Sequence, residues 1–151
     1  MDDGPRISFV RPEGWQFKEQ VTLMSTPGAA GGVPANVIVG SEPLTSDLTT
    51  ESYAEMMDGQ AREEFPNYRE ITVEPMTVFG RDAMLRRFEW EPEKGQRVTQ
   101  LQVYLVHDEH VYTVTATVES EHFEACRDEL MTILNALSLA PAQDAAAAPA
   151  A

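Results

Sequence analysis

An antiparallel α+β fold is predicted by three features of this 151-residue sequence. Several segments alternate apolar and polar residues with a period of two, as a half-buried strand does. The connections between the later segments are too short for anything but hairpins. Two further segments switch to three- and four-residue spacing, which is the period of an amphipathic helix.

In chain order, Ile7 to Val10 is the first strand candidate, ended by Arg11-Pro12-Glu13-Gly14. Trp15 and Phe17 follow and are expected to plug one end of the core. Glu19 to Ser25 alternates, with Val21 and Leu23 on one face and Thr22 and Met24 on the other. The Gly/Pro-rich stretch 26–34 is a loop, and the β-branched run from Asn36 to Glu42 is the next strand.

From Thr50 to Phe65 the period becomes helical, with Tyr53, Met56, Met57, Gln60, Ala61, Glu64 and Phe65 as the stripe. Thr49 or Thr50 opens this helix and Pro66 stops it. Four strands follow, at Tyr68–Phe79, Arg81–Glu91, Gln96–His107 and His110–Glu119, with tight turns between them. Ser120 is the expected N-cap of a second helix, whose apolar stripe is Phe123, Cys126, Leu130, Ile133, Leu134 and Leu137. The predicted order is β-β-β-α-β-β-β-β-α, one folded domain over residues 1–139. Residues 140–151, rich in Ala and Pro, read as a disordered tail.

Composition narrows the function. Eleven basic and twenty-five acidic residues give a net charge of −14, which repels phosphate backbones and anionic lipid headgroups. Nucleic acid and direct membrane insertion are therefore not expected. No apolar run is long enough for a membrane-spanning helix, and the acidic start MDDGPRISFV does not read as a secretion signal. A cytoplasmic location is the corresponding expectation. The single cysteine, Cys126, forms no intramolecular disulfide and sits on a core stripe without a basic activating neighbour.

No nucleophile elbow, phosphate-binding loop or zinc-protease motif occurs, so an enzyme is not expected. His107-Asp108-Glu109-His110 matches no zinc spacing and reads as a polar hairpin tip, so neither metal nor cofactor is expected. Arg86, Arg87 and Arg97 are expected to pair with Glu89, Glu91 and Glu93 on neighbouring strands.

The strand 96–107 places Leu101, Val103 and Leu105 on one face and Val98, Gln100, Gln102, Tyr104 and Val106 on the other. The next strand adds a Thr113-Thr115-Thr117 ladder. One sheet face is thus a plain core. The other mixes Gln, Thr, Tyr and Val, and is either a solvated face or a groove for an apolar segment whose polar atoms meet amides. Gln60 stands on the helical stripe where an apolar residue is expected, either as an edge residue reaching water or as a polar handle in a binding surface. Met56 and Met57 beside it suit a surface that accepts varied partners, and equally an ordinary core.

In order along the chain, Pro12-Glu13-Gly14-Trp15, Val21–Met24, Glu42-Pro43-Leu44, Tyr53 with Gln60, Gly80-Arg81-Asp82-Ala83, Phe88 with Trp90, Gln100 with Gln102, and Ile133, Leu134 and Leu137 resemble the DcrB-related family. The resemblance covers about residues 6 to 139 and implies a PsbP-like α/β/α sandwich. One branch of that family consists of exported lipoproteins, the other of cytoplasmic Eag-type chaperones of type VI secretion systems. Without a lipobox cysteine or signal sequence, the chain looks more like the second branch. That branch implies a homodimer that shields the apolar N-terminal transmembrane segments of an effector before loading. The partner-binding residues expected on this reading are Gln60, Met56, Val98, Gln100, Gln102 and Tyr104, with Val21, Leu23 and Val37 lining either the same cavity or the core. The alternative is an envelope-associated DcrB-like scaffolding domain.

Overall fold

The computed structural model describes residues 10, 12–15, 18–25 and 35–138. The strand expected at Ile7–Val10, the loop 26–34, Phe17 and the tail lie outside the described residues, apart from Val10. Six strands form one antiparallel sheet: β1 (Glu19–Met24), β2 (Asn36–Pro43), β3 (Arg69–Val78), β4 (Arg81–Glu93), β5 (Gln96–His107) and β6 (His110–Glu119). Their order across the sheet is β1-β2-β6-β5-β4-β3. The helices are α1 (Thr50–Glu64) and α2 (Phe123–Ala136).

Strand pairing follows the turns. Phe79-Gly80 closes the β3–β4 hairpin and Asp108-Glu109 closes β5–β6, all four with positive φ as twist-matched two-residue turns require. The outer strand β3 carries Pro75, several charges and a register shift between Glu70 and Thr72, features that keep an edge from pairing with another sheet.

The two helices lie on opposite faces, the α/β/α layering expected of a PsbP-like sandwich. On one face, Phe123, Leu130 and Leu134 of α2 pack onto Leu101, Val103, Leu105, Val114, Ala116 and Val118. This is the core, and Cys126, Ile133 and Leu137 border it as their stripe predicts. Val37 is buried in it, and Val21 and Leu23 share its face through β1–β2 pairing. These three therefore line the core side and not the glutamine side. Trp15 is 71% exposed and plugs nothing.

Helix α1 starts where the sequence places it. Thr49 Oγ1 accepts from Ser52 N at 3.1 Å and Ser52 Oγ accepts from Thr49 N at 2.8 Å, a reciprocal capping box. It ends at Phe65, which is extended (φ −89°, ψ 116°) as the residue before Pro66 is biased to be. Its contact line differs from the expected stripe. Ala61 is buried as the stripe predicts, but the other buried residue is Ala54, which is not on it, and Tyr53, Met57 and Gln60 fall to one edge by helical rotation. A small residue suits position 54 because the Arg86 guanidinium rises from the sheet beneath and reaches the Ala54 carbonyl at 3.4 Å.

Helix α2 does not start on a Ser120 cap. Ser120 begins a 3-10 turn, and its hydroxyl bonds Thr99 Oγ1 at 2.8 Å instead.

Candidate functional site

Rungs of paired residues cross the α1 face of the sheet, and four of them bear on the site. Met84, Tyr104, Thr113, Gly40 and Gln20 make one, and Arg86, Gln102, Thr115, Ile38 and Thr22 the next. Phe88, Gln100, Thr117, Asn36 and Met24 make the third, and Trp90, Val98 and Glu119 the fourth. Helix α1 runs over β4 and β5, so the first three rungs are covered at one end and open over β6, β2 and β1.

The covered end is built from aromatic and charged side chains. Tyr53 meets Tyr104 edge to face at 5.3 Å, and Phe65 stacks on Trp90 at 4.1 Å beside Phe88 and Tyr68. Arg86 is only 8% exposed, and its guanidinium reaches Asp58 Oδ1 at 3.4 Å and Glu70 Oε2 at 3.6 Å. The Tyr68 hydroxyl donates to the same Asp58 oxygen at 2.7 Å, and Arg62 pairs with Asp58 Oδ2 at 2.9 Å. Burial raises the Asp58 pKa, but the Tyr68 and Arg62 hydrogen bonds and the Arg86 charge outweigh it and hold the carboxyl below its ordinary value. Burial, followed by the hydrogen bond to Asp58, raises Tyr68, and burial raises Tyr104.

This cluster corrects the expected arginine pairing. Arg97 does pair with Glu89 at 2.9 Å. Arg86 and Arg87, being adjacent on a strand, point to opposite faces. Arg86 goes under α1, and Arg87 lies over the Phe123 ring at 4.0 Å on the α2 side. Sequence reasoning missed the Arg86–Asp58–Tyr68 cluster. Its available signal was a charged residue, Asp58, seven positions before Phe65 on the helix face that also carries Ala54 and Ala61.

The open end is small and polar. Gln100 Nε2 donates to Thr117 Oγ1 at 2.8 Å, and Gln102 Nε2 donates to Thr115 Oγ1 at 3.2 Å. Gln100 Oε1 accepts from Trp90 Nε1 at 2.8 Å. A cleft of about 340 Å³ opens at one end between α1 and the sheet, with Tyr53 as its wall and Ile38, Gly40, Thr113 and Thr115 in its floor. Glu19 and Glu42 stand at its rim, Glu42 paired with Lys18 at 3.1 Å.

Of the expected partner-binding residues, Gln100 and Gln102 are partly buried on β5 at the margin of the open face, where they bond Thr117 and Thr115 without lining the cleft, and Gln60 and Met56 are exposed on α1. Val98 and Tyr104, at 7% and 2% exposure, are buried and cannot be part of an open surface. Among the described residues, no three His, Cys, Asp or Glu side chains converge as metal ligands would. The His107–His110 pair closes the β5–β6 hairpin, with His110 Nδ1 2.8 Å from Asp108 O.

A lone antiparallel sheet between two helices, one of them covering only half of its face, defines the class: an α/β/α sandwich with a partly open inner surface. The chain belongs to the DcrB family, whose profile matches residues 8–136. The fold is shared with PA94 from Pseudomonas aeruginosa, a protein of unknown function described as a regulator candidate. That match has a TM-score of 0.74 at 16% identity and covers 87% of this chain and 90% of that one. LpqN of Mycobacterium tuberculosis, described as involved in cell envelope biogenesis, matches with a TM-score of 0.57 at 12% identity over 85% and 88% of the two chains. The cyanobacterial PsbP protein of Synechocystis sp. PCC 6803 is a looser likeness, with a TM-score of 0.46 at 11% identity over 82% and 80%. No curated protein matches the sequence. No helix among the described residues is long and apolar enough to cross a membrane.

Proposed function

We propose that this DcrB-family domain is a non-enzymatic chaperone or adaptor. On this reading it shields the apolar N-terminal transmembrane segments of a secreted effector for loading on a type VI or related contractile secretion apparatus, and it acts as a cytoplasmic homodimer.

The observation that carries the reading is the half-covered sheet face. Helix α1 leaves β6, β2 and β1 exposed on its side, and the floor there is made of Thr113, Thr115, Thr117, Gly40 and Ile38. These side chains are low, so a helix lying on them can approach the sheet closely. Apolar helices pack through such small contacts and through single hydrogen bonds to groups like Gln100 and Gln102. Tyr53 on α1 supplies an apolar contact at the wall, and the methionines Met56 and Met57 lie further round the helix. Removing a client's apolar surface from water contributes roughly 25 cal/mol per Å². Membrane-directed segments carry Lys or Arg at their ends, and the rim of the cleft carries Glu19 and Glu42. The net charge of −14 keeps a complex with a greasy client in solution.

Co-expression with the N-terminal segment of an effector encoded beside this gene tests the reading. The effector segment is expected to be soluble only with this protein and to co-purify with a dimer of it by light scattering. A segment that stays insoluble, with no co-purification, overturns the proposal. A second reading, an envelope-associated scaffolding domain, draws on the fold shared with LpqN. It predicts enrichment of the native protein in envelope fractions and no effect on effector solubility.

A further inference from the structure

The hydrogen bonds across the open face have a direction. An indole N–H can only donate, and Trp90 Nε1 donates to Gln100 Oε1 at 2.8 Å. The amide nitrogen must then turn the other way, and Nε2 donates to Thr117 Oγ1 at 2.8 Å. One rung along, Gln102 Nε2 donates to Thr115 Oγ1 at 3.2 Å. Each threonine oxygen accepts from an amide and keeps its own proton to give away. Thr115 and Thr117 are two apart on β6, so their hydroxyls share a face about 7 Å from each other. With the second N–H of Gln100 and of Gln102, four donors stand on this face, against Gln102 Oε1 as the acceptor.

An unconstrained glutamine presents oxygen or nitrogen with equal ease. Trp90 removes that choice. Its ring is held by the stack on Phe65, at 4.1 Å and 19° between planes, so the direction is set from the covered end of the sheet. We propose that Trp90 is a positioning residue that fixes this surface as a donor array, selecting segments that bring carbonyl oxygens to it. Such a segment is an apolar helix interrupted by Gly or Ser, where backbone carbonyls are unscreened or lack an intrahelical partner. An uninterrupted Leu helix screens its carbonyls and gains nothing from the donors. This deepens the client reading given above and rests on it.

The test uses the full chain and two fluorescein-labelled, Lys-flanked Leu/Ala peptides. One carries a central Gly-Ser-Gly, and the other has Leu at those three positions. By fluorescence anisotropy the wild type is expected to prefer the interrupted peptide about tenfold, the size of one net hydrogen bond. Trp90→Phe keeps the stack and removes the N–H, and Thr117→Val keeps the shape and removes the terminal hydroxyl. Both variants are expected to bind the two peptides equally. A loss of folded protein lowers both affinities together and leaves their ratio unchanged, so the ratio separates positioning from stability. Where Trp90→Phe does not fold, Thr117→Val decides. Retained preference in the variants overturns the inference and leaves the groove reading standing. A wild type that binds neither peptide overturns both.

Discussion

The Arg86 guanidinium lies 3.4 Å from the Asp58 carboxylate, with the strand charge buried under α1 and the helix charge at its margin. The two partners are not equivalent. Asp58 also receives hydrogen bonds from Tyr68 and Arg62, whereas Arg86 has only Glu70 at 3.6 Å and the Ala54 carbonyl at 3.4 Å. Removing Asp58 leaves a buried cation nearly alone, and removing Arg86 leaves a well-bonded anion near water. Asp58→Ala is therefore expected to cost about 3 kcal/mol and Arg86→Met clearly less, since replacing a buried charge with an apolar chain of similar length avoids its desolvation. Urea unfolding of both variants measures the difference. Equal losses, or a larger loss for Arg86→Met, refute the asymmetry.

The same carboxylate makes the fold sensitive to acid. Asp58 and Glu89 are both held below their ordinary values of 3.8 and 4.5, against the opposing effect of burial. For Glu89 the favourable part comes from Arg97 and Arg69. A depressed carboxyl pKa contributes stability that is present above the unfolded value and lost as pH falls through the folded one. Stability is expected to decline as pH drops below about 4.5 and to keep declining past the ordinary Asp value. Denaturant titrations at stepped pH will show this, and Asp58→Asn will show a shallower acid limb. An acid limb of unchanged slope in that variant would mean that other carboxylates govern the decline.

Tyr53, Tyr68 and Tyr104 are expected to titrate late. Burial raises Tyr53, Tyr68 and Tyr104, and the carboxylates of Glu42 and Asp58 add to the effect at Tyr53 and Tyr68. A raised phenol contributes stability that is full below its unfolded value near 10 and lost as pH rises through the folded one. Absorbance at the phenolate band is expected to rise late and together with unfolding at high pH. Full ionisation of Tyr53, Tyr68 and Tyr104 near pH 10 in folded protein would contradict the packing of α1 on the sheet.

How far these contacts were readable depends on their range in sequence. The hairpins and their faces follow from alternation within each strand, and α1 is delimited by Thr49 and Pro66, both local signals. The contact line of α1 was readable only in part, since Ala61 stands on the expected stripe but Ala54 carries little hydrophobic signal beside Tyr53 and Met57. Ala54 matters because the Arg86 guanidinium stands beneath it and reaches its carbonyl at 3.4 Å. The bond from Trp90 to Gln100 depends on the β4–β5 register, which shifts between Trp90 and Glu93. The loss of Ser120 as a cap reflects competition from Thr99, a residue of another strand.

The β5–β6 turn can be improved. Glu109 is exposed with φ at 61°, a left-handed conformation that costs a side-chain-bearing residue roughly 1 kcal/mol relative to glycine. Its carbonyl accepts from Leu44 N at 2.8 Å, a backbone bond that substitution leaves in place. Glu109→Gly creates the Asp-Gly pair favoured in such turns and is expected to raise stability by about 1 kcal/mol. A lower midpoint in thermal unfolding would mean that the glutamate side chain contributes more than the backbone strain costs.

Substituting both glutamines separates fold from recognition. Gln100→Ala leaves the Trp90 indole without its acceptor and is expected to cost about 1 kcal/mol, because Trp90 is partly exposed and water can replace the amide. Gln102→Ala is expected to cost less, since it releases only the longer bond to Thr115 at 3.2 Å. The core lies on the other face of the sheet and is untouched, so the Gln100→Ala/Gln102→Ala protein should keep its circular dichroism spectrum. If an apolar client rests on this floor, the double variant should lose more than about tenfold in affinity, as two hydrogen bonds and their geometry disappear. Co-purification of a co-expressed effector segment measures that loss. Undiminished recovery with the double variant would place recognition elsewhere on the molecule, because no other described amides stand on the open strands between α1 and the β1 edge except Gln20 and Asn36.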